Sequence, residues 1–565
     1  MILVTEEQRQ TYINSGLWGE NSETHSLDSI LRTNAREKAD SLAFCDAPNR
    51  SQWTSGETKS LTWGALNKEV DILATFIKGL GLAKDAVVAL YGPNTVNMAV
   101  SILAINRAGL IAAPIPLFWR QAEMQDYLSE IHARAMITVD RVENDSPALR
   151  CRDLTQHLFS MKYVLAFGYA LPDGVVSLDK ILPSVSEMME SEPVFDVIHP
   201  DAIISLHPTS LQSRDTEIVI PRTSNQWLST ERAIFDVIGE TTNTLLPFAL
   251  SGLIGFCAGI VRTLTQKGAV NFHHFQTDNM LAGHLDLVKP DLVLLPQHCV
   301  AQQMNRFSAN QKVTIGCVWK NNHLAQMPVE QSDSGNQLFD VSILNEIVAL
   351  GQLRTPGQHT PSSLPLTEDV RDLSLRLKKP TNTKLKQSTK LAGGELIATG
   401  ASVPEALFPS NSEKRALSRL RNKTVYAGAC THVACRLNEN DPTQCEPIGF
   451  LIDTIQRSNQ LAVAGELDDL YKSVANIIDA AHFIDPITDE LNVAVVTRDL
   501  TLSIETFSNQ LSEMGVSHLK IPVALYPINE IKRGVGGVVM RHELVELIEE
   551  NKSRKLMEDR QQVAI

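Results

Sequence analysis

Val87-Val88-Ala89-Leu90, then Met98 to Ala108 closed by Gly109, then Ile111-Ala112-Ala113-Pro114-Ile115-Pro116: this stretch decides the fold. The first run is continuously apolar and short, which suits a strand buried on both faces. Pro93-Asn94 breaks it, and Gly109 supplies the residue that ends a helix. Strand, helix, strand in succession needs a crossover, so the two strands lie parallel in an α/β fold. Upstream, Leu66, Val70, Leu73, Ala74, Ile77 and Leu80 recur at three-four spacing and predict an amphipathic helix ended by Gly79 and Gly81. Downstream, Ala202-Ile203-Ile204-Ser205-Leu206 and Ile218-Val219-Ile220 read as strands on either side of a polar loop.

The chain has 565 residues, 43% hydrophobic and 21% charged, enough for two or more domains with a large core. A formal net charge of −14 argues against nucleic acid or an anionic membrane as partner. The longest apolar segment, Leu245 to Val261, is shorter than the ~18 residues of a membrane span and is interrupted by Ser251, Gly252, Gly255 and Gly259. Met1-Ile2-Leu3-Val4 runs directly into Thr5-Glu6-Glu7, which is no signal peptide, so a cytoplasmic protein is expected. Eight cysteines over this length fit a reducing compartment. Cys430, Cys435 and Cys445 cluster beside His432, but the spacing matches no usual zinc pattern, and no metal is expected there.

The polar loop is Pro208-Thr209-Ser210-Leu211-Gln212-Ser213-Arg214-Asp215, and no Gly or Lys occurs from Asp201 to Ile238. A phosphate cradle turns backbone N–H groups inward through left-handed conformations that glycine adopts freely, and a lysine adds charge against the phosphates. Taken alone, this loop reads as an ordinary polar hairpin.

Several segments together resemble the adenylate-forming superfamily of acyl-CoA synthetases, aryl-acid ligases and adenylation domains. Val87 to Pro116 is similar to its first two core motifs, Thr244-Leu245-Leu246-Pro247-Phe248-Ala249 to its Pro-Leu-Phe-His segment, and Val288 to Pro296 to the strand leading to its acyl pocket. Gly394-Glu395-Leu396-Ile397-Ala398-Thr399-Gly400 matches a structural motif. Asn529 to Leu544, with Arg533, Gly537, Arg541 and Leu544 in place, resembles the carboxy-terminal motif. Gly534-Val535-Gly536-Gly537 inside it lacks dinucleotide-loop spacing and reads as a turn. The resemblance implies a large amino-terminal domain of several α/β subdomains over residues 1–455, a hinge at 456–460, and a small α+β domain over 461–565.

It also implies where chemistry is missing. The family has a Gly/Lys-rich phosphate loop where Thr209-Ser210 alone remain. Its Tyr-Gly-x-Thr-Glu motif falls on Leu350 to Arg354, keeping Gly351 and replacing the Mg²⁺-binding glutamate by Arg354. The ribose-binding aspartate falls on Ala429 and the hinge-motif arginine on Gln456, with Arg457 one place on. The adenylation lysine falls on Val538. Thr209, Ser210, Gly351 and Arg457 are therefore vestigial cofactor-binding positions, and Phe248, Ala249, Gly252 and Pro296 are the expected substrate pocket. Adenylation is almost wholly electrostatic work. Each lost transition-state contact costs ~2.7–4 kcal/mol, so the expectation is a non-catalytic member in lipid or secondary metabolism with no cofactor. The acyl or aryl group, a CoA thioester, an acyl carrier protein or an active paralogue are the expected partners. The alternative is a working ATP-dependent ligase, using Mg·ATP and CoA, that substitutes Arg214, Arg354, Arg457 and Lys532.

Overall fold

The computed structural model describes residues 25–208, 219–274, 278–296, 313–320, 336–354, 363–366, 372–378, 393–404, 429–438, 441–450, 454–457 and most of 460–531, with short pieces at 299–300, 303, 544–545 and 547–548. Its strands are numbered in chain order. β1 (Leu42–Cys45) and β2 (Ser60–Thr62) precede β3 (Val87–Tyr91), β4 (Ile111–Pro114), β5 (Ala135–Val139), β6 (Tyr163–Phe167), β7 (Val176–Ser177), β8 (Ile203–Pro208) and β9 (Val219–Thr223). Next come β10 (Asn243–Leu246), β11 (Ala269–Phe272), β12 (Leu292–Pro296), β13 (Thr314–Lys320), β14 (Gln337–Leu344) and β15 (Val348–Leu353).

These form two sheets. The first has the order β7-β6-β5-β3-β4-β8-β9 and is parallel except for the β8–β9 pair. The second has the order β15-β14-β13-β12-β10-β11-β1-β2, with antiparallel pairs only at its two ends. The predicted β3–helix–β4 unit is present and parallel, with Val87 opposite Ile111. Its helix, Val96–Arg107, is buried along its whole length because it lies between the sheets. One apolar cluster joins it to Val88, Leu90 and Ile137 of the first sheet and to Leu246, Val270 and Leu294 of the second. An all-round apolar helix is stable only in such a central layer. The predicted amphipathic helix is Trp63–Gly79, started by Thr62, whose hydroxyl accepts the Ala65 N–H, and buried on its Trp63, Leu66, Val70, Leu73, Ala74 and Ile77 face.

A third, antiparallel sheet has the order β16-β20-β19-β18-β17, from β16 (Leu364–Pro365), β17 (Ser374–Lys378), β18 (Gly393–Thr399), β19 (Ala429–Leu437) and β20 (Gln444–Phe450). At the expected hinge, β21 (Thr454–Arg457) pairs antiparallel with β22 (Gln460–Val463) as a hairpin. The terminal α+β unit follows, with β23 (Ile477–Ile484), β24 (Leu491–Thr497) and β25 (Ala524–Pro527) in one sheet. Helices Ala464–Lys472 and Ile504–Glu513 cover that sheet, and Leu467, Tyr471, Val493, Phe507 and Leu511 form its own core. No helix among the described residues is long and apolar enough to cross a membrane.

Candidate functional site

In an open parallel sheet, ligands bind beyond the carboxyl ends of the strands, at the point where the strand order reverses. In the first sheet the chain runs from β3 to β4 on one side and then places β5 on the other. In the second it runs from β10 to β11 and then returns to place β12 on the far side of β10. Residues just past β3 and just past β10 are joined directly. Asn94 Nδ2 donates to the carbonyls of Leu246 and Phe248, 3.0 Å each. A second link comes from the end of β8, where His207 Nδ1 lies 3.1 Å from the Ser251 carbonyl. The two carboxyl edges thus meet around the segment 247–252.

The expected pocket residues gather at this edge. Phe248, Ala249 and Gly252 follow β10, and Pro296 ends the neighbouring strand β12. Ala249 is exposed, whereas Phe248 is buried in the same cluster as Phe256. Leu295 faces the other side of the sheet, with Val293, Ile315 and Cys317. A helical run begins at Leu253–Phe256, passes through a π turn at Cys257–Val261 and ends at Arg262–Gln266. Gly255 has a structural cause: a Cβ there would stand 1.9 Å from the Ala249 carbonyl oxygen. Gly252 is different, since its Cβ would meet nothing nearer than Glu346 Oε2 at 3.7 Å.

Three side chains that the sequence reading did not single out organise the edge. Glu346 lies in the turn between β14 and β15, where Asn345 and Glu346 both take positive φ, 53° and 58°. Two successive non-glycine residues in that region are strained, which the surroundings must hold. Glu346 Oε2 accepts the Leu253 N–H at 2.6 Å and so caps the helical run from a distant part of the chain. Arg222, on β9, donates to the Glu346 carbonyl at 3.2 Å, to the Ile347 carbonyl, and to the Ser402 carbonyl at 3.1 Å. Its guanidinium lies 4.8 Å over the Trp227 ring, and complete burial lowers its pKa to about 10. His207 meets the Trp227 and Phe256 rings edge-on at 5.1 Å each, and those two rings stack at 4.3 Å. Burial lowers the His207 pKa to about 4, so the ring is neutral at neutral pH. A carbonyl can only accept, so Nδ1 carries the proton and Nε2 the lone pair.

The remaining expected positions fall elsewhere. Arg354 follows β15 and is fully buried in an ion pair with Asp340, whose carboxylate also accepts the Trp319 indole N–H at 2.8 Å. Its charge is neutralised inside the second sheet, away from the edge. Gly351 is needed for packing: a Cβ would stand 1.8 Å from the Ile234 carbonyl oxygen, where β15 crosses helix Ser224–Phe235. The acid at the edge is Glu346, eight positions before Arg354 in the sequence. Its signal was the break between the apolar runs Val341–Leu344 and Ile347–Leu350. Ala429 opens β19, and Gln456 and Arg457 lie in β21. Thr209, Ser210, Arg214, Lys532 and Val538 lie outside the described residues. Among the described residues, no three His, Cys, Asp or Glu side chains are grouped to hold a metal.

The family model for AMP-binding enzymes matches residues 31–208, which run from the first described helix to the end of β8. Over these residues the chain matches the AMP-binding enzyme family. Among curated relatives, it is 26% identical over 227 residues to the oxalate–CoA ligase of Arabidopsis thaliana, covering 40% of this chain and 42% of that one. It is 25% identical over 162 residues to a salicyl-AMP ligase/salicyl-S-ArCP synthetase of Mycobacterium tuberculosis, covering 29% and 27%. The matched region thus spans less than half of either relative. Over nearly the whole chain, the apo structure of MbtA from Mycobacterium smegmatis superposes with a TM-score of 0.60 at 19% identity, covering 96% of this chain and 98% of that one. That likeness extends the adenylate-forming fold through the antiparallel sheet and the terminal α+β unit. The acyl-CoA and aryl-acid ligases are the branches represented.

Proposed function

We propose that this chain binds an acyl or aryl group, as an acid or a thioester, at the edge around Phe248, Ala249, Gly252 and Pro296, without activating it through ATP. The observation that carries the reading is the segment after β8. It follows β8 in the sequence where the family has its phosphate loop, and it has no Gly or Lys. Among the described residues, the candidate charges are already engaged elsewhere. Arg354 is spent on Asp340, Arg222 is held by main-chain carbonyls, and Glu346 binds the Leu253 N–H. Loss of the family's aspartate at Ala429, arginine at Gln456 and lysine at Val538 adds to this. The partner of such a protein is a CoA thioester, an acyl carrier protein or an active paralogue in the cytoplasm. The mycobacterial relative is named for a carrier-protein product, which favours the carrier.

One observation favours a working ligase instead. Glu346 stands at the sheet edge as an acid that could turn from Leu253 towards a metal-bound phosphate, which would restore one of the family's lost charges. ATP–pyrophosphate exchange by the full chain, with a panel of carboxylic acids, separates the two. The expected result is no exchange above the protein-free control. Exchange with any acid overturns the non-catalytic reading. Thermal shift gives a second measure, because a ligand raises stability by RT ln(1 + [L]/Kd). Millimolar Mg·ATP is expected to leave the melting temperature within about one degree, by the ~4–8 °C per kcal/mol scale of small domains and the smaller scale of large ones.

A further inference from the structure

The β8–β9 ladder places two incompletely bonded polar atoms on one face. Ser205 is opposite Arg222, and His207 is opposite Ile220 in the same antiparallel register. Side chains two apart on a strand point the same way, and residues directly opposite share a face. His207 and Arg222 are therefore diagonal neighbours on the face that also carries Ser205, whose hydroxyl accepts the Trp227 indole N–H at 2.8 Å. His207 is 1% exposed and Arg222 is 0% exposed. Nδ1 of His207 is used on Ser251, but among the described residues Nε2 has no hydrogen-bond partner, and neither does Nε of Arg222. One is a lone pair without a donor and the other an N–H without an acceptor. Each such buried atom costs roughly 1–3 kcal/mol until it is matched.

From this juxtaposition we infer that His207 and Arg222 recognise a hydroxyl group on the bound acyl or aryl ligand. A hydroxyl is the simplest neutral group that both accepts, here from Arg222 Nε, and donates, here to His207 Nε2. A carboxylate offers no donor to the lone pair of a neutral imidazole. The ligand's acid or thioester end therefore points away from His207. His207 is a specificity residue in this scheme, since a site built to bond a hydroxyl rejects an analogue that lacks it. The inference rests on the acyl- or aryl-binding reading above.

The test is calorimetric titration of the full chain with matched acids and their CoA thioesters, each with and without one hydroxyl, in aryl and short aliphatic pairs. At least one hydroxylated member is expected to bind tenfold or more tightly than its partner, about 1.4 kcal/mol. In His207→Phe that preference falls below threefold. His207→Gln, which keeps an acceptor, retains part of the preference and serves where the phenylalanine variant does not fold. Equal affinity within every pair in the wild type overturns the inference and leaves the acyl-binding reading standing. Absence of binding by either member of all pairs removes that reading and the inference together. A water has the same two functions as a hydroxyl. A crystal structure of the hydroxylated complex in which a water still bridges Arg222 Nε and His207 Nε2 also overturns it. ¹⁵N spectra of the imidazole supply a check independent of affinity, since the unprotonated Nε2 resonance shifts only when the hydroxylated ligand is added.

Discussion

Two buried arginines stand within one molecule in opposite situations. Arg354 at the end of β15 has a carboxylate partner, Asp340, which is itself held by Trp319. Arg222 on β9 has main-chain carbonyls, the Thr230 hydroxyl at 3.4 Å and an aromatic face. The first is a closed pair inside a sheet and does architectural work. The second holds the strained Asn345–Glu346 turn against the sheet junction through the Glu346 and Ile347 carbonyls, and its Nε–H is unmatched among the described residues. Charge that is neutralised locally marks structure, and charge left incompletely matched at a strand edge marks a site. Position in the sequence separates the two poorly, because the resemblance pointed to Arg354 and passed over Arg222.

Among single substitutions, removing the partner from the closed pair has the largest expected effect. Asp340→Asn leaves the Arg354 guanidinium buried without a counter-charge, which costs about 3–5 kcal/mol. Chemical denaturation is expected to show that loss, and ligand binding by the surviving folded protein is expected to be unchanged. Arg222→Met removes a cation that has no carboxylate partner, so its cost is that of the unpaired carbonyls, about 1–3 kcal/mol. If the two variants lose equal stability, the distinction between the arginines fails.

Acid comes next. His207 is held neutral by burial, with its pKa lowered from 6.5 to about 4. His273 is lowered to about 3, first by burial and then by the charge of His284, and His284 is itself lowered to about 4 by burial. The rings of these last two meet at Nδ1, 3.1 Å apart. In each case the unfolded chain binds a proton that the folded chain refuses. Stability is therefore present above the unfolded value near 6.5 and falls as pH drops towards 4, by about 3 kcal/mol for each such histidine. A denaturation series from pH 7.5 to 4 measures it, and a hydroxylated ligand bonded to His207 Nε2 is expected to raise that group's share only, because it holds the ring neutral more firmly. A flat profile over this range means that the imidazoles are solvated.

Glu346→Gln is expected to have a smaller effect. It replaces a charged acceptor at the Leu253 N–H by a neutral one, a loss of about 1 kcal/mol. The expected consequence is a modest fall in melting temperature with weaker ligand binding, because the cap fixes the segment that lines the edge. Increased binding of Mg·ATP in the wild type relative to this variant would instead support the ligase reading.

Much of the fold was legible from Val87 to Pro116 and from the spacing Leu66 to Ile77, since hydrophobic periodicity reports burial directly. The site was legible only in part. Phe248, Ala249, Gly252 and Pro296 do share one sheet edge, because the order of strands brings their loops together. Glu346 was passed over because the β14–β15 turn holds Asn345 and Glu346 in a left-handed conformation that sequence seldom signals. Gly351 was the decoy: its missing side chain serves a close approach to helix Ser224–Phe235. His207 was missed because a histidine beside a proline at the end of an apolar run reads as the start of a turn.

The last effect concerns a different boundary. The terminal α+β unit touches the first sheet's side of the molecule at Glu123. Its Oε1 accepts from Lys520 Nζ at 3.2 Å and lies 3.5 Å from the Ser517 N–H, while Oε2 accepts the Arg120 N–H at 2.9 Å. Gly515, with φ 77°, lets the chain pass close to Gln121, whose Cβ would be 3.1 Å from any Cβ added there. Both side chains of the ion pair are largely buried, 9% and 6% exposed, so the pair is firmer than an open surface bridge yet remains one contact. The unit's own core, around Tyr471 and Phe507, does not depend on it. Glu123→Ala is therefore expected to cost about 1–3 kcal/mol in global stability, because Lys520 and the Arg120 N–H lose their acceptor. It is also expected to speed hydrogen exchange at residues 515–520 and to widen the solution scattering envelope. Loss of the whole unit's protection would show instead that this contact holds the unit's fold and is not a simple attachment. Unchanged exchange at 515–520 would mean that other contacts fix the unit in place.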